Sequence, residues 1–160
     1  MAQEIERKFL VQENALPDLS TCHKRRIEQA YLSARPTVRV RRDNEAFYLT
    51  YKGEGLLIRE EHNLALTAEA YTHLAAKADG RRIEKDRFEL PLDNGLTAEI
   101  DKFRGALSGL CLVEVEFSST EAAAAFVPPS WFGTEVTQDP HYTNANLALA
   151  LELPNSQPPK

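Results

Sequence analysis

One pattern constrains this chain more than any other. Charged residues recur two apart on one side of segment after segment that alternates like a β-strand. In "EIERKFLV" (residues 4–11), Glu4, Glu6 and Lys8 share one face, and Ile5, Phe9 and Val11 share the other, because successive side chains of a strand point to opposite faces. "TVRVRR" sets Arg39 and Arg41 opposite Val38 and Val40, and "FYLTYKG" sets Lys52 opposite Phe47, Leu49 and Tyr51. "IREEHN" aligns Arg59, Glu61 and Asn63, and "RRIEKDRFEL" aligns Lys85 and Arg87 with Ile83. "TAEIDKF" pairs Glu99 with Asp101, and "LVEVEF" pairs Glu114 with Glu116. An ordinary solvated sheet face mixes Ser, Thr, Gln and single charges. Here like signs are paired along five of these segments, and like charges that close repel unless opposite charge lies between them.

Period-two segments cover residues 3–11, 26–34, 37–43, 46–53, 56–66, 81–90, 96–104 and 110–118, separated by turn-like pieces such as "RDNEA", "GEG" and "PLDNG". Helical pattern is confined to 67–79, with Thr67 as N-cap and Gly80 as stop, to 120–126 before Pro128 and Pro129, and to 144–153. Eight antiparallel strands suffice to close a barrel and abolish its edges. The expected fold is therefore mainly β (α+β): a closed eight-stranded antiparallel β-barrel with a few helices packed outside, in a single domain over 1–153. The polar, Pro-rich 154–160 is expected to be a disordered tail.

Closure reconciles the charges if the charged faces point inward. Lys8, Arg39, Arg41, Lys52, Lys85 and Arg87 would then face Glu4, Glu6, Glu61, Glu99, Asp101, Glu114 and Glu116 across a polar lumen. Unpartnered buried charges cost several kcal/mol each, so such a lumen must hold water and ligand. Clustered Lys and Arg suit phosphates, and clustered carboxylates suit hard divalent cations. A metal-bound polyphosphate satisfies both.

The rest of the composition excludes other classes. The formal net charge of −5 over 160 residues argues against non-specific nucleic-acid or membrane binding. No apolar run reaches membrane-span length and the N-terminus lacks a signal-peptide core, so a cytoplasmic location is expected. Cys22 and Cys111 are too few for a disulfide framework, and none of His23, His62, His73 and His141 is spaced as a zinc ligand or triad member.

The ordered set Glu4-x-Glu6-x-Lys8, Arg39-x-Arg41, Lys52, Lys85-x-Arg87 and Glu114-x-Glu116 resembles the CYTH superfamily of triphosphate tunnel metalloenzymes, and most closely its bacterial inorganic triphosphatases. The resemblance runs from residue 3 to about 151. It implies a tunnel barrel and metal-dependent hydrolysis of tripolyphosphate to pyrophosphate and phosphate. It implies two Mg²⁺ or Mn²⁺ ions on Glu4, Glu6, Glu61, Asp101, Glu114 and Glu116. Substrate would be gripped by Lys8, Arg39, Arg41, Lys52, Lys85 and Arg87, with Tyr31 and Lys52 as a catalytic pair. The implied partner is a small anionic substrate, with neither nucleic acid nor membrane, and a homodimer is one option for assembly. The chain departs from the family where Glu-x-Glu is usual: it has Glu61-His62-Asn63. Competing readings are a class IV adenylyl cyclase, a thiamine or nucleoside triphosphatase, and a non-catalytic polyphosphate-binding module.

Overall fold

The computed structural model describes residues 3–149. Eight strands, β1 (Gln3–Leu10), β2 (His23–Ser33), β3 (Thr37–Asp43), β4 (Ala46–Lys52), β5 (Ile58–Ala65), β6 (Asp79–Pro91), β7 (Thr97–Phe103) and β8 (Cys111–Glu116), close into an antiparallel barrel. Its order is β1-β5-β4-β3-β2-β6-β7-β8. Sequential hairpins build β2 to β5 and β6 to β8, while β1 closes the ring by pairing Glu4 with Arg59 on β5 and Lys8 with Glu114 on β8. The expected mainly β, closed eight-stranded antiparallel barrel is thus the observed fold.

Local chemistry sets the turns. Asn94 and Gly95 both take positive φ, 64° and 75°, between β6 and β7, and Leu92 N–H bonds Leu96 O at 2.7 Å across them. Asn-Gly is the pair that a twisted hairpin needs there. Helix α1 (Ala68–Ala75) starts on Thr67, whose hydroxyl accepts from Ala70 N–H, and α2 (Thr120–Ala125) starts on Ser119 in the same way. Helix α1 is shorter than the 67–79 expected, because residues from Asp79 onward join β6. Gly80, expected as a helix stop, instead sits in that strand at φ +67° beneath helix α3 (Asn144–Leu149). A Cβ there would lie 2.3 Å from Ala148 O, so only glycine admits this approach. The end of the third expected helix, 150–153, and the tail 154–160 lie outside the described residues.

Outward-facing apolar residues are covered by helices and loops. Helix α1 lays Tyr71 and Ala75 on Ala30 and Val40, while Phe126, Trp131 and Phe132 pack over Phe9, Ile100, Val113 and Val115. The barrel interior is divided. At one end Leu10, Ile83, Phe103 and Leu112 meet Tyr142, Ala145, Leu147 and Ala148, so α3 and the turn before it form an apolar plug. Each such side chain removed from water contributes roughly 1.5–3 kcal/mol. Above that floor the inward faces are charged.

Candidate active site

The lumen above the plug is a small cavity of about 70 Å³ lined by Glu4, Glu6, Lys8, Tyr31, Arg39, Arg41, Lys52, Arg59, Glu61, Arg87, Glu99 and Glu114, with Thr37, Thr143, Asn144 and Ala145 at its floor. Strand parity explains the convergence, since Glu4, Glu6 and Lys8 alternate with outward residues on β1, as do Arg39 with Arg41 on β3. Of the residues expected from sequence, ten line this cavity. Lys85 and Asp101 lie deeper, 0% and 1% exposed, and Glu116 stands exposed at the rim in a separate cleft with Arg25 and Glu89. A larger cavity of about 270 Å³, with Pro36, Leu56 and Pro140 among its lining residues, adjoins the lumen through Thr37, Arg59, Thr143 and Ala145. The lumen is the smaller of the two but the more densely charged.

The ion pairs divide the cations into two groups. Lys52 Nζ sits 2.8 Å from Glu4 and 3.5 Å from Glu61. Lys85 Nζ lies 2.7 Å from Asp101. Arg87 donates to both oxygens of Asp101 at 2.7 and 2.9 Å and approaches Glu99 and Glu114 at 3.4 and 3.7 Å. By contrast, among the described residues no carboxylate lies within 4.0 Å of the charged groups of Lys8, Arg39, Arg41 or Arg59. Their partners are neutral: Lys8 donates to Tyr142 O, Arg39 to Thr50, Arg41 to Gln29 and Tyr48, and Arg59 to Thr37 and Gly53 O. Arg39 also keeps a buried Nε without any partner. Burial, with Arg39 and Arg87 nearby, lowers the pKa of Arg41. A guanidinium that is buried, repelled and unpaired is a site arranged for an anion.

The acids are arranged as sharply. Burial, then the Glu114 and Glu4 carboxylates, push Glu6 well above the usual carboxylate range, and Glu6 and Glu114 hydrogen-bond each other. Burial opposes ionisation of Glu114 too, but Lys8 and Arg87 prevail and hold it well below that range. Glu99 is also raised, chiefly by burial, and Glu116, at the exposed rim, by partial burial together with the carboxylates of Glu4, Glu99 and Glu61. Like carboxylates crowded in this way have the donor chemistry of a hard-cation site. Among the described residues, however, no three Asp, Glu, His or Cys side chains converge as a preformed metal shell.

Asp101, expected among the metal ligands, spends both oxygens on Arg87 and one also on Lys85, which places it beneath the cations. The Tyr31 hydroxyl bonds Gln29 Nε2 at 2.8 Å and not Lys52, which the two acids occupy. Sequence reasoning also missed Gln29, Arg25, Thr50 and Asn144. Gln29 shares the parity of Tyr31 and could have been found that way. Arg25, which clasps Asp43 at 2.6 Å and Glu89 at 2.7 Å at the rim, precedes the expected start of its strand. Asn144 reaches the lumen only through the plug. Asn63 lies exposed at the rim, its carbonyl taken by Thr50 and its amide 3.4 Å from Glu61.

A closed barrel whose lumen sets guanidinium and ammonium groups without carboxylate partners against crowded carboxylates defines a class of protein: a charged-tunnel β-barrel. Comparison with known proteins places the chain within that class. The CYTH domain family matches residues 2–127, and the chain belongs to this family. The inorganic triphosphatase of Nitrosomonas europaea is 43% identical over 152 residues, spanning 92% of this chain and 98% of that protein. The inorganic triphosphatase of Acetivibrio thermocellus is 36% identical over 149 residues, spanning 92% and 94%. The crystal structure of the inorganic triphosphatase NE1496 superposes with a TM-score of 0.70 at 40% identity, covering 94% of this chain and 97% of that one.

Proposed function

We propose that the protein is a metal-dependent inorganic triphosphatase that hydrolyses tripolyphosphate to pyrophosphate and orthophosphate inside the tunnel. The observation that carries this reading is the set Lys8, Arg39 and Arg41, three lumen cations whose partners are all neutral. A linear triphosphate supplies the missing counter-charge. Its oxygens would take the forks of Arg39 and Arg41, with Lys8 on the remaining oxygens and further positive charge supplied by Arg87 and, from beneath, Lys85. Asp101 holds the last two in place from below.

Glu4, Glu6, Glu61 and Glu114, with Glu116 at the rim, would hold Mg²⁺ or Mn²⁺, two ions on the count expected from sequence. Bound there, the metal neutralises phosphate charge and acidifies attacking water. The residues provide orientation. Phosphoryl transfer demands an in-line arrangement of water, phosphorus and leaving oxygen more than it demands covalent help from the protein. Lys52 stays charged, because Glu4 and Glu6 outweigh its burial, and it would steady the phosphoryl group under attack. The water–phosphorus bond forms as the anhydride bond breaks, the electron pair departs with the pyrophosphate oxygen, and the proton lost by the attacking water passes to the phosphate products or to solvent.

The adjoining 270 Å³ cavity favours one second reading, a triphosphate ester whose organic group rests against Pro36, Leu56 and Pro140. Phosphate release from tripolyphosphate, ATP and thiamine triphosphate, together with a check for cyclic AMP, separates the two. The triphosphatase reading expects kcat/KM for tripolyphosphate to exceed the others by at least an order of magnitude. Tight binding without turnover of any of them would leave only a polyphosphate-binding module.

A further inference from the structure

Gln29 is 0% exposed and joins three elements of the lumen. Its Oε1 accepts from Arg41 Nε at 2.9 Å. A guanidinium can only donate, so this contact fixes which end of the amide is oxygen. The NH₂ end therefore faces Tyr31 Oη at 2.8 Å and Asn144 Oδ1 at 3.1 Å. The Asn144 oxygen also takes Lys85 Nζ at 3.0 Å, which agrees with that assignment. Tyr31 is left with one role: its hydroxyl oxygen accepts from Gln29, and its proton points away. Among the described residues no side chain takes that proton, and Tyr31 lines the charged lumen.

We infer that Gln29 is a positioning residue that fixes Tyr31 as a hydrogen-bond donor to a phosphate oxygen, and that Tyr31 is a donor in the reaction and not its base. The inference rests on the triphosphatase reading. As the anhydride bond breaks, its electron pair moves onto the leaving pyrophosphate oxygen. Tyr31 is 2% exposed and packs against the apolar plug, yet it borders the lumen, and a donor held there would stabilise that charge with little reorganisation. No proton need leave the tyrosine.

Gln29→Glu tests this sharply. Glutamate keeps the size and can still accept from Arg41, but it cannot donate to Tyr31. It would draw the tyrosine proton onto itself and away from substrate. Turnover of tripolyphosphate by the wild type is measured first, and its absence counts against the triphosphatase reading itself. With turnover established, Tyr31→Phe and Gln29→Glu should each lower kcat by about 100-fold, the usual scale for one lost transition-state donor, and the double variant should be no slower than Tyr31→Phe alone. If Gln29→Glu retains or raises kcat, Tyr31 works as a base or not at all, and the inference is overturned. If the two losses multiply in the double variant, Gln29 acts through Arg41 or Lys85, and it is equally overturned. Should Gln29→Glu not fold, Gln29→Leu is read through the same cycle.

Discussion

Replacing Asp101 by Asn should unfold the ligand-free protein far more readily, whereas replacing Arg41 by Leu should not. Asp101 is 1% exposed and compensates two buried cations at 2.7 Å. Removing one partner of such a cluster costs roughly 3–5 kcal/mol, because charge is stranded in the interior. Lys85 can escape by losing its proton, since burial already brings its pKa down to about 7. The loss then falls mainly on Arg87, which Glu99 and Glu114 reach only at 3.4 and 3.7 Å, so the lower end, about 3 kcal/mol, applies. For a domain of this size about 2–4 °C accompanies each kcal/mol, which gives a fall in Tm of roughly 6–12 °C. Arg41 has no carboxylate to strand. Its removal forfeits neutral hydrogen bonds to Gln29 and Tyr48, about 1 kcal/mol each, but relieves burial and repulsion from Arg39 and Arg87. Its Tm should stay within a few degrees of wild type or rise. Thermal melts in phosphate-free buffer, repeated with Mg²⁺ and tripolyphosphate, decide the matter. Wild type and Asp101→Asn should both gain stability from the ligand, and Arg41→Leu much less. The reasoning fails if Asp101→Asn melts like wild type, or if Arg41→Leu loses as much as Asp101→Asn.

Other outcomes follow from the same charges. The folded-state pKa of Lys85, about 7, lies below its unfolded value, so the unfolded chain binds more protons in between. Ligand-free stability from this group should therefore rise with pH from about 7 to about 10.4, and be lost as pH falls through that window. Triphosphate beside Lys85 favours its ammonium, so binding near pH 8 should take up part of a proton, seen as binding heats that differ between Tris and HEPES; buffer-independent heats would mean Lys85 is already charged. Asn63→Glu places a second carboxylate beside Glu61 at the rim. It should lower the Mg²⁺ concentration for half-maximal activity and slightly destabilise the metal-free protein, whereas superimposable metal titrations would show that this wall does not touch the ion.

The barrel was legible because alternation is a strictly local signal. Seven of the eight strands declared a charged face, and closure followed from the number of strands and the repulsion that a flat, open sheet would leave unrelieved. Depth was not legible. Parity says that Asp101 and Glu116 both point inward, but strand tilt and register decide that one lies under two cations and the other at the rim. The neighbours of Tyr31 were hidden for a related reason. Gln29 is on its own strand and was within reach of the parity argument, but Asn144 arrives from a helix more than a hundred residues away, and no local pattern announces which helix will plug a barrel. The strand order, with β1 between β5 and β8, is likewise set by long-range closure. Arg25 was lost to an end effect, since the turn-like residues before it place the apparent start of β2 three residues late.

The central claim is that the unpaired cations hold a triphosphate whose cleavage needs a metal held by the tunnel carboxylates. Phosphorus NMR of tripolyphosphate incubated with EDTA-dialysed protein, before and after adding Mg²⁺ or Mn²⁺, tests it most directly. The account predicts no change in EDTA, and equal amounts of pyrophosphate and orthophosphate once metal is restored. Cleavage that persists in EDTA, or intact tripolyphosphate in the presence of metal, would contradict it.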